Sequence, residues 1–134
     1  MSQPIVELIR AYNSAAEDAV RELRSSYPPF RDAMSLKQAE IPRQGTLASG
    51  RTFSFHEIGC CFEKDGVEVD VDFGPNGRSD GFDAWRLHRF SANVGQTHLT
   101  YYQIQIALDE MLRAGEIVKS DPEQLGSHLL FWRV

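Results

Sequence analysis

Apolar residues recur at helical spacing over the first part of the chain. Residues 4–25 place them on one face, and Ser2 and Pro4 occupy the capping and first-turn positions that helices favour. The apolar positions are Ile5, Leu8, Ile9, Tyr12, Ala16, Ala19, Val20 and Leu23. The sequence therefore predicts a long amphipathic N-terminal helix, which Pro28 and Pro29 end.

The middle of the chain carries strand patterns. Residues 67–73 alternate four apolar residues with three acids, and Asp65-Gly66 before them is typical of a tight hairpin turn. Residues 51–63 predict another strand, bent or bulged at Gly59. Residues 82–90, with Phe82, Trp85, Leu87 and Phe90, could form another strand or a short helix, and a strand is favoured. The remaining segments predicted here are a short helix at 31–39, a loop at 42–50 and a turn at 74–77.

The C-terminal part predicts one more helix and a closing hairpin. Apolar positions recur at helical spacing over 100–114, and Gly115 follows as a C-terminal cap. Residues 116–118 and 129–132 read as two paired strands. We therefore expect a single α+β domain over residues 1–134, in which an antiparallel sheet of about four to five strands packs against the long N-terminal helix and a second helix near the C-terminus.

Composition places the chain among globular proteins. Of its 134 residues, 42% are hydrophobic and 25% charged, which excludes disordered and low-complexity classes. No apolar run approaches the roughly 18 residues that a membrane helix needs, and no secretory signal precedes the first helix. A location in the cytoplasm is expected, without membrane contact.

Negative charge is concentrated in one segment. The net charge is −5, and residues 57–83 hold eight acids against only Lys64 and Arg78. Such a surface repels phosphate backbones, so direct nucleic-acid binding is disfavoured and a basic protein partner is favoured. The same acids can also do no more than keep the domain soluble.

The two cysteines are neighbours, Cys60 and Cys61. Adjacent strand residues point to opposite faces, so a disulfide between them is not expected. No zinc-ligand spacing and no common catalytic motif is present, and we predict no metal, no cofactor and no enzymatic activity.

Two other functions stay open. His56, Asp70 and Asp72 could serve a small metal-dependent or hydrolytic enzyme, although alternating acids are also typical of an exposed strand face. Cys60 or Cys61 could be a nucleophile, but a buried, inert thiol is favoured. The helix and hairpin at the C-terminus are also compatible with a winged-helix regulatory module, but that segment has few bases.

Trp85 and Arg86 are residue types that anchor protein interfaces. The alternative is that Trp85 fills the core while Arg86 pairs with Asp83 or Asp70. Both alternatives are compatible with the segment around Trp85, in which large aromatic residues lie among charged ones.

Three short patterns carry a resemblance to a known family. Phe55-His56 followed by Gly59-Cys60, then Val69 to Gly74, then Gly81 to Leu87 resemble a small bacterial domain family of uncharacterised function, with a core over about residues 40–118. One departure is Glu57, where the family often has Gly. The resemblance implies a single-domain cytoplasmic protein associated with polymorphic toxin systems as a candidate immunity protein, and it carries over no catalytic residue.

The predicted function follows from that resemblance and the charge. We expect an immunity protein that neutralises a cognate toxin, such as a nuclease or deaminase with a basic active site, by occluding that site. The predicted contact residues are Glu68, Asp70, Asp72, Asp80, Asp83, Trp85 and Arg86.

Overall fold

The computed structural model describes residues 3–27, 42–56, 59–72, 82–93, 99–119 and 130–132. It confirms the α+β class. The elements are α1 (Gln3–Ser26), β1 (Gln44–Thr46), β2 (Thr52–Phe55), β3 (Gly59–Lys64), β4 (Val67–Asp72), α2 (Ala84–Asn93), α3 (Tyr101–Arg113), β5 (Ile117–Lys119) and β6 (Leu130–Trp132). The predicted helix at 31–39 and turn at 74–77 lie outside the described residues.

The chain forms two compact units. One contains residues 1–13 and 80–134, and the other contains residues 14–79. The helix α1 contributes to both, and all eight apolar positions that predict it are buried. The organisation of residues 1–134 as a single domain stays a prediction.

A four-stranded antiparallel sheet, in the order β1-β2-β3-β4, forms the second unit together with residues of α1. The turn between β3 and β4 has positive φ at both central residues, 52° at Asp65 and 80° at Gly66, as predicted for a two-residue hairpin. One face of the sheet is apolar and buried. Its residues are Phe53, Phe55, Cys60, Phe62, Val69 and Val71.

The predicted single strand over 51–63 is wrong. The chain reverses between β2 and β3, and the backbone N–H of His56 donates to the carbonyl of Gly59 at 3.0 Å where the two strands meet. The buried positions reveal the reversal, because Phe55 and Cys60 are an odd number of residues apart yet face the same side. A continuous strand would put them on opposite faces.

The loop predicted over 42–50 contains the edge strand β1. Its three residues carry no apolar side chain, so the hydrophobic pattern gives no sign of it; backbone pairing of Gln44 with Ser54 and Thr46 with Thr52 defines it instead. Gly45 lies against the ring of Phe53, where an added Cβ would come within 3.1 Å of Cζ. A larger residue at this position would therefore force the ring of Phe53 to shift by a few tenths of an ångström.

The strand favoured over 82–90 is also wrong, because this segment forms α2, the short helix that was the alternative. Its buried residues Ala84, Leu87 and Phe90 recur every third position, whereas Trp85, which suggested alternation, is exposed. Asp83 supplies the start signal: its carboxylate accepts a hydrogen bond from the Arg86 backbone N–H at 2.8 Å. Capping and helical burial outweigh the β-propensity of the aromatic residues.

The helix α3 and the C-terminal hairpin agree with prediction. Thr100 and Gln103 form a reciprocal capping box at the start of α3, and Gly115, with φ of 76°, follows its C-terminus. The strands β5 and β6 pair antiparallel. In the same unit Tyr12 packs edge-on against Phe82 and Phe90, with ring centroids 6.2 and 5.7 Å apart.

Glu22 ties α1 to the turn that precedes β2. Its carboxylate accepts hydrogen bonds from the Ser49 hydroxyl at 2.8 Å, the Ser49 backbone N–H at 3.1 Å and Arg51 Nε at 3.0 Å. These contacts, led by the Ser49 hydroxyl, hold the pKa of Glu22 below its ordinary value.

We expect Glu22→Gln to lower the free energy of unfolding by about 1–2 kcal/mol at neutral pH, because it removes charge-assisted hydrogen bonds. A lowered folded-state pKa stabilises the protein above the unfolded-state pKa, and this contribution is lost as the pH falls through the folded-state pKa. The difference between wild type and variant should therefore shrink toward acid pH in urea denaturation. Exposed Glu17 on the same helix offers the control Glu17→Gln, which should change stability little. A Glu22→Gln effect that is the same at all pH values would contradict the assignment.

Candidate functional site

The outward face of the four-stranded sheet is polar, and its register follows from the turn at Asp65-Gly66. Counting outward from that turn, Glu63 lies directly opposite Glu68, and Cys61 lies directly opposite Asp70. The strand β2 continues both rows with Thr52 and Ser54. We call Glu63, Glu68 and Asp70 the acidic face.

A histidine–carboxylate contact crosses the sheet. The Nε2 atom of His56 lies 2.7 Å from Oδ1 of Asp70, although β3 runs between their strands. On that strand the carbonyl of Gly59 accepts a hydrogen bond from the His56 backbone N–H at 3.0 Å. The His56 side chain is 37% exposed and that of Asp70 is 15% exposed. The ring therefore stays in contact with solvent while it holds a half-buried carboxylate.

The two cysteines occupy different environments, as their adjacency predicts. Cys60 is fully buried on the apolar face, and burial raises the pKa of its thiol to about 12. Cys61 is on the outward face, where its thiol donates to Oε1 of Glu68 at 3.2 Å. Both are free cysteines. Cys60 is thus a protonated core residue at neutral pH, which removes the basis for a nucleophilic role.

The structure brings together only part of the predicted contact set. Glu68 and Asp70 share the outward face of β4, and the backbone of Asp72 pairs with Gly59 at its end. Asp80 lies outside the described residues. Asp83, Trp85 and Arg86 belong to the other unit.

Asp83 and Arg86 have a structural role at the start of α2. Besides capping the helix, the Asp83 carboxylate accepts from Arg86 Nη1 at 2.7 Å, and both side chains are largely buried. This is the pairing anticipated for Arg86 in the alternative reading. Trp85 between them is 49% exposed, so the prediction that it fills the core is wrong.

Sequence reasoning missed two sets of exposed residues. Glu63 was absent from the predicted contact set, although pairing across the Asp65-Gly66 turn could have placed it opposite Glu68. Tyr101, Tyr102 and Ile106 on α3 are also exposed. The helical period predicts the outward position of Tyr102 and Ile106, because they lie opposite Ile104 and Leu108.

In the described part of the chain, no group of three or more His, Cys, Asp or Glu side chains is arranged to hold a metal ion. Nor does any helix in those ranges have the length and apolar character to cross a membrane.

The described elements define an α+β protein with a four-stranded antiparallel sheet, a two-stranded hairpin and three helices. A family model matches residues 5–131, and the chain belongs to that family, a domain of unknown function (DUF6896). No match was found among curated proteins or among solved structures. The predicted membership of an uncharacterised domain family is thereby confirmed, while the association with immunity stays a prediction.

The contrast between the two thiols generates a prediction. Under native conditions at about pH 8 we expect iodoacetamide to modify Cys61 at least about 100-fold faster than Cys60, because a thiol with a pKa of about 12 is almost entirely protonated there. Peptide mass spectrometry measures both rates. Cys61→Ser should abolish native labelling, Cys60→Ser should preserve it, and guanidinium should expose both thiols. Equal native rates would show that Cys60 is not in the core.

Proposed function

We propose that the protein is an immunity protein that binds a cognate bacterial toxin and blocks its active site without catalysing a reaction. The proposed partner is a basic enzyme such as a nuclease or deaminase, and the proposed contact surface is the acidic face. Asp72, at the end of β4, is proposed to extend it, and Asp80 is proposed as a further contact outside the described residues. The proposed location is the cytoplasm, where the two free cysteines would remain reduced.

The direct pairing of Glu63 with Glu68 is the observation that carries the proposal. Like charges that lie directly opposite on adjacent strands destabilise a sheet, typically by up to about 1 kcal/mol. If the face served only to keep the protein in solution, one acid and one base at these two positions would give the same solubility. Together with Asp70, these residues place three carboxylates on one outward face, which favours association with the lysine and arginine side chains of a basic surface.

Electrostatic attraction would also make capture of the toxin fast. A toxin must be captured before it acts, and complementary charge raises association rates by orders of magnitude. Asp70 lies one alternate position beyond Glu68 on the same face, which extends the negative charge along β4. Trp85 is proposed as an additional anchor, with Asp83 and Arg86 setting the first turn of its helix rather than contacting the toxin.

The contact between His56 and Asp70 favours a second candidate function. A carboxylate that orients an imidazole is an arrangement used for general acid–base chemistry, and the same two groups can contribute to a divalent metal site. This candidate is the small hydrolytic or metal-dependent enzyme, with Asp72 as the third proposed residue.

In the first candidate function, Glu63→Lys should raise the stability of the protein and weaken its binding to the toxin. It replaces a like-charge pair by an opposite-charge pair, so we expect a rise in Tm of about 1–4 °C. It also places a positive charge on the contact surface, so the association rate with the toxin should fall about tenfold. The measurements are thermal unfolding, rescue of cells that co-express a candidate toxin domain, and surface plasmon resonance with that domain.

Glu17→Lys is the matched control, because it makes the same charge change on α1. It should leave rescue and association nearly as in wild type. Rescue of growth by wild type, weakened by Glu63→Lys, is the expected outcome. Undiminished association by a stabilised Glu63→Lys protein would overturn the acidic face as the contact surface, and failure of wild type to rescue would overturn immunity to that toxin.

The enzyme candidate makes a separate prediction for divalent metals. A specific site that includes His56 and Asp70 should raise Tm by about 5–10 °C at a metal concentration about 100 times the dissociation constant. His56→Gln and Asp70→Asn should abolish that shift, whereas His88→Gln on α2 should not. Thermal shift assays with Zn²⁺, Mn²⁺, Mg²⁺ and Ca²⁺ provide the measurement, and an unaltered shift in the first two variants would remove the metal-dependent form of this candidate.

A further inference from the structure

No further inference is drawn: the strongest candidate, the exposed apolar side chains Trp85, Tyr101, Tyr102 and Ile106 on the helices α2 and α3, carries nothing, because nothing in the structure shows what covers them.

Discussion

The register between β3 and β4 is the constraint on which the sheet and its candidate site depend. Two consecutive residues with positive φ, Asp65 and Gly66, leave room for only one pairing of the flanking strands. That pairing sends Phe62 and Val69 together into the core and Glu63 and Glu68 together to solvent. A slip of one residue would bury the carboxylates and expose the phenylalanine, so burial of the apolar face and the turn geometry enforce the same register.

The same alternation gives two neighbouring cysteines different chemistry. Cys60 shares the buried face and behaves as a small apolar residue, whereas Cys61 shares the outward face and donates to a carboxylate. The His56–Asp70 contact also belongs to the outward face, where it joins β2 to β4 across the intervening strand. The acids on this face therefore contact different neighbours and differ in their exposure to solvent. Glu63 is the most exposed residue of the acidic face.

The helical unit presents a surface of a different chemical kind. There Asp83 and Arg86 form an ion pair, and Asp83 also caps the helix, so both residues help to position Trp85.

The sequence by itself determined the elements whose patterns are local and strongly periodic. The helix α1, the turn at Asp65-Gly66, the alternation in β4 and the capped helix α3 all depend on residues within a few positions of one another. Tertiary structure decided what depends on distant partners. Pairing with β2 creates β1 from residues without an apolar pattern, and the burial of Phe82 and Phe90 against Tyr12 belongs to a helix where a strand was favoured. The contact of His56 with Asp70 likewise requires three strands in register, which no spacing along the chain encodes, because cross-strand neighbours are selected by the free energy of the assembled sheet.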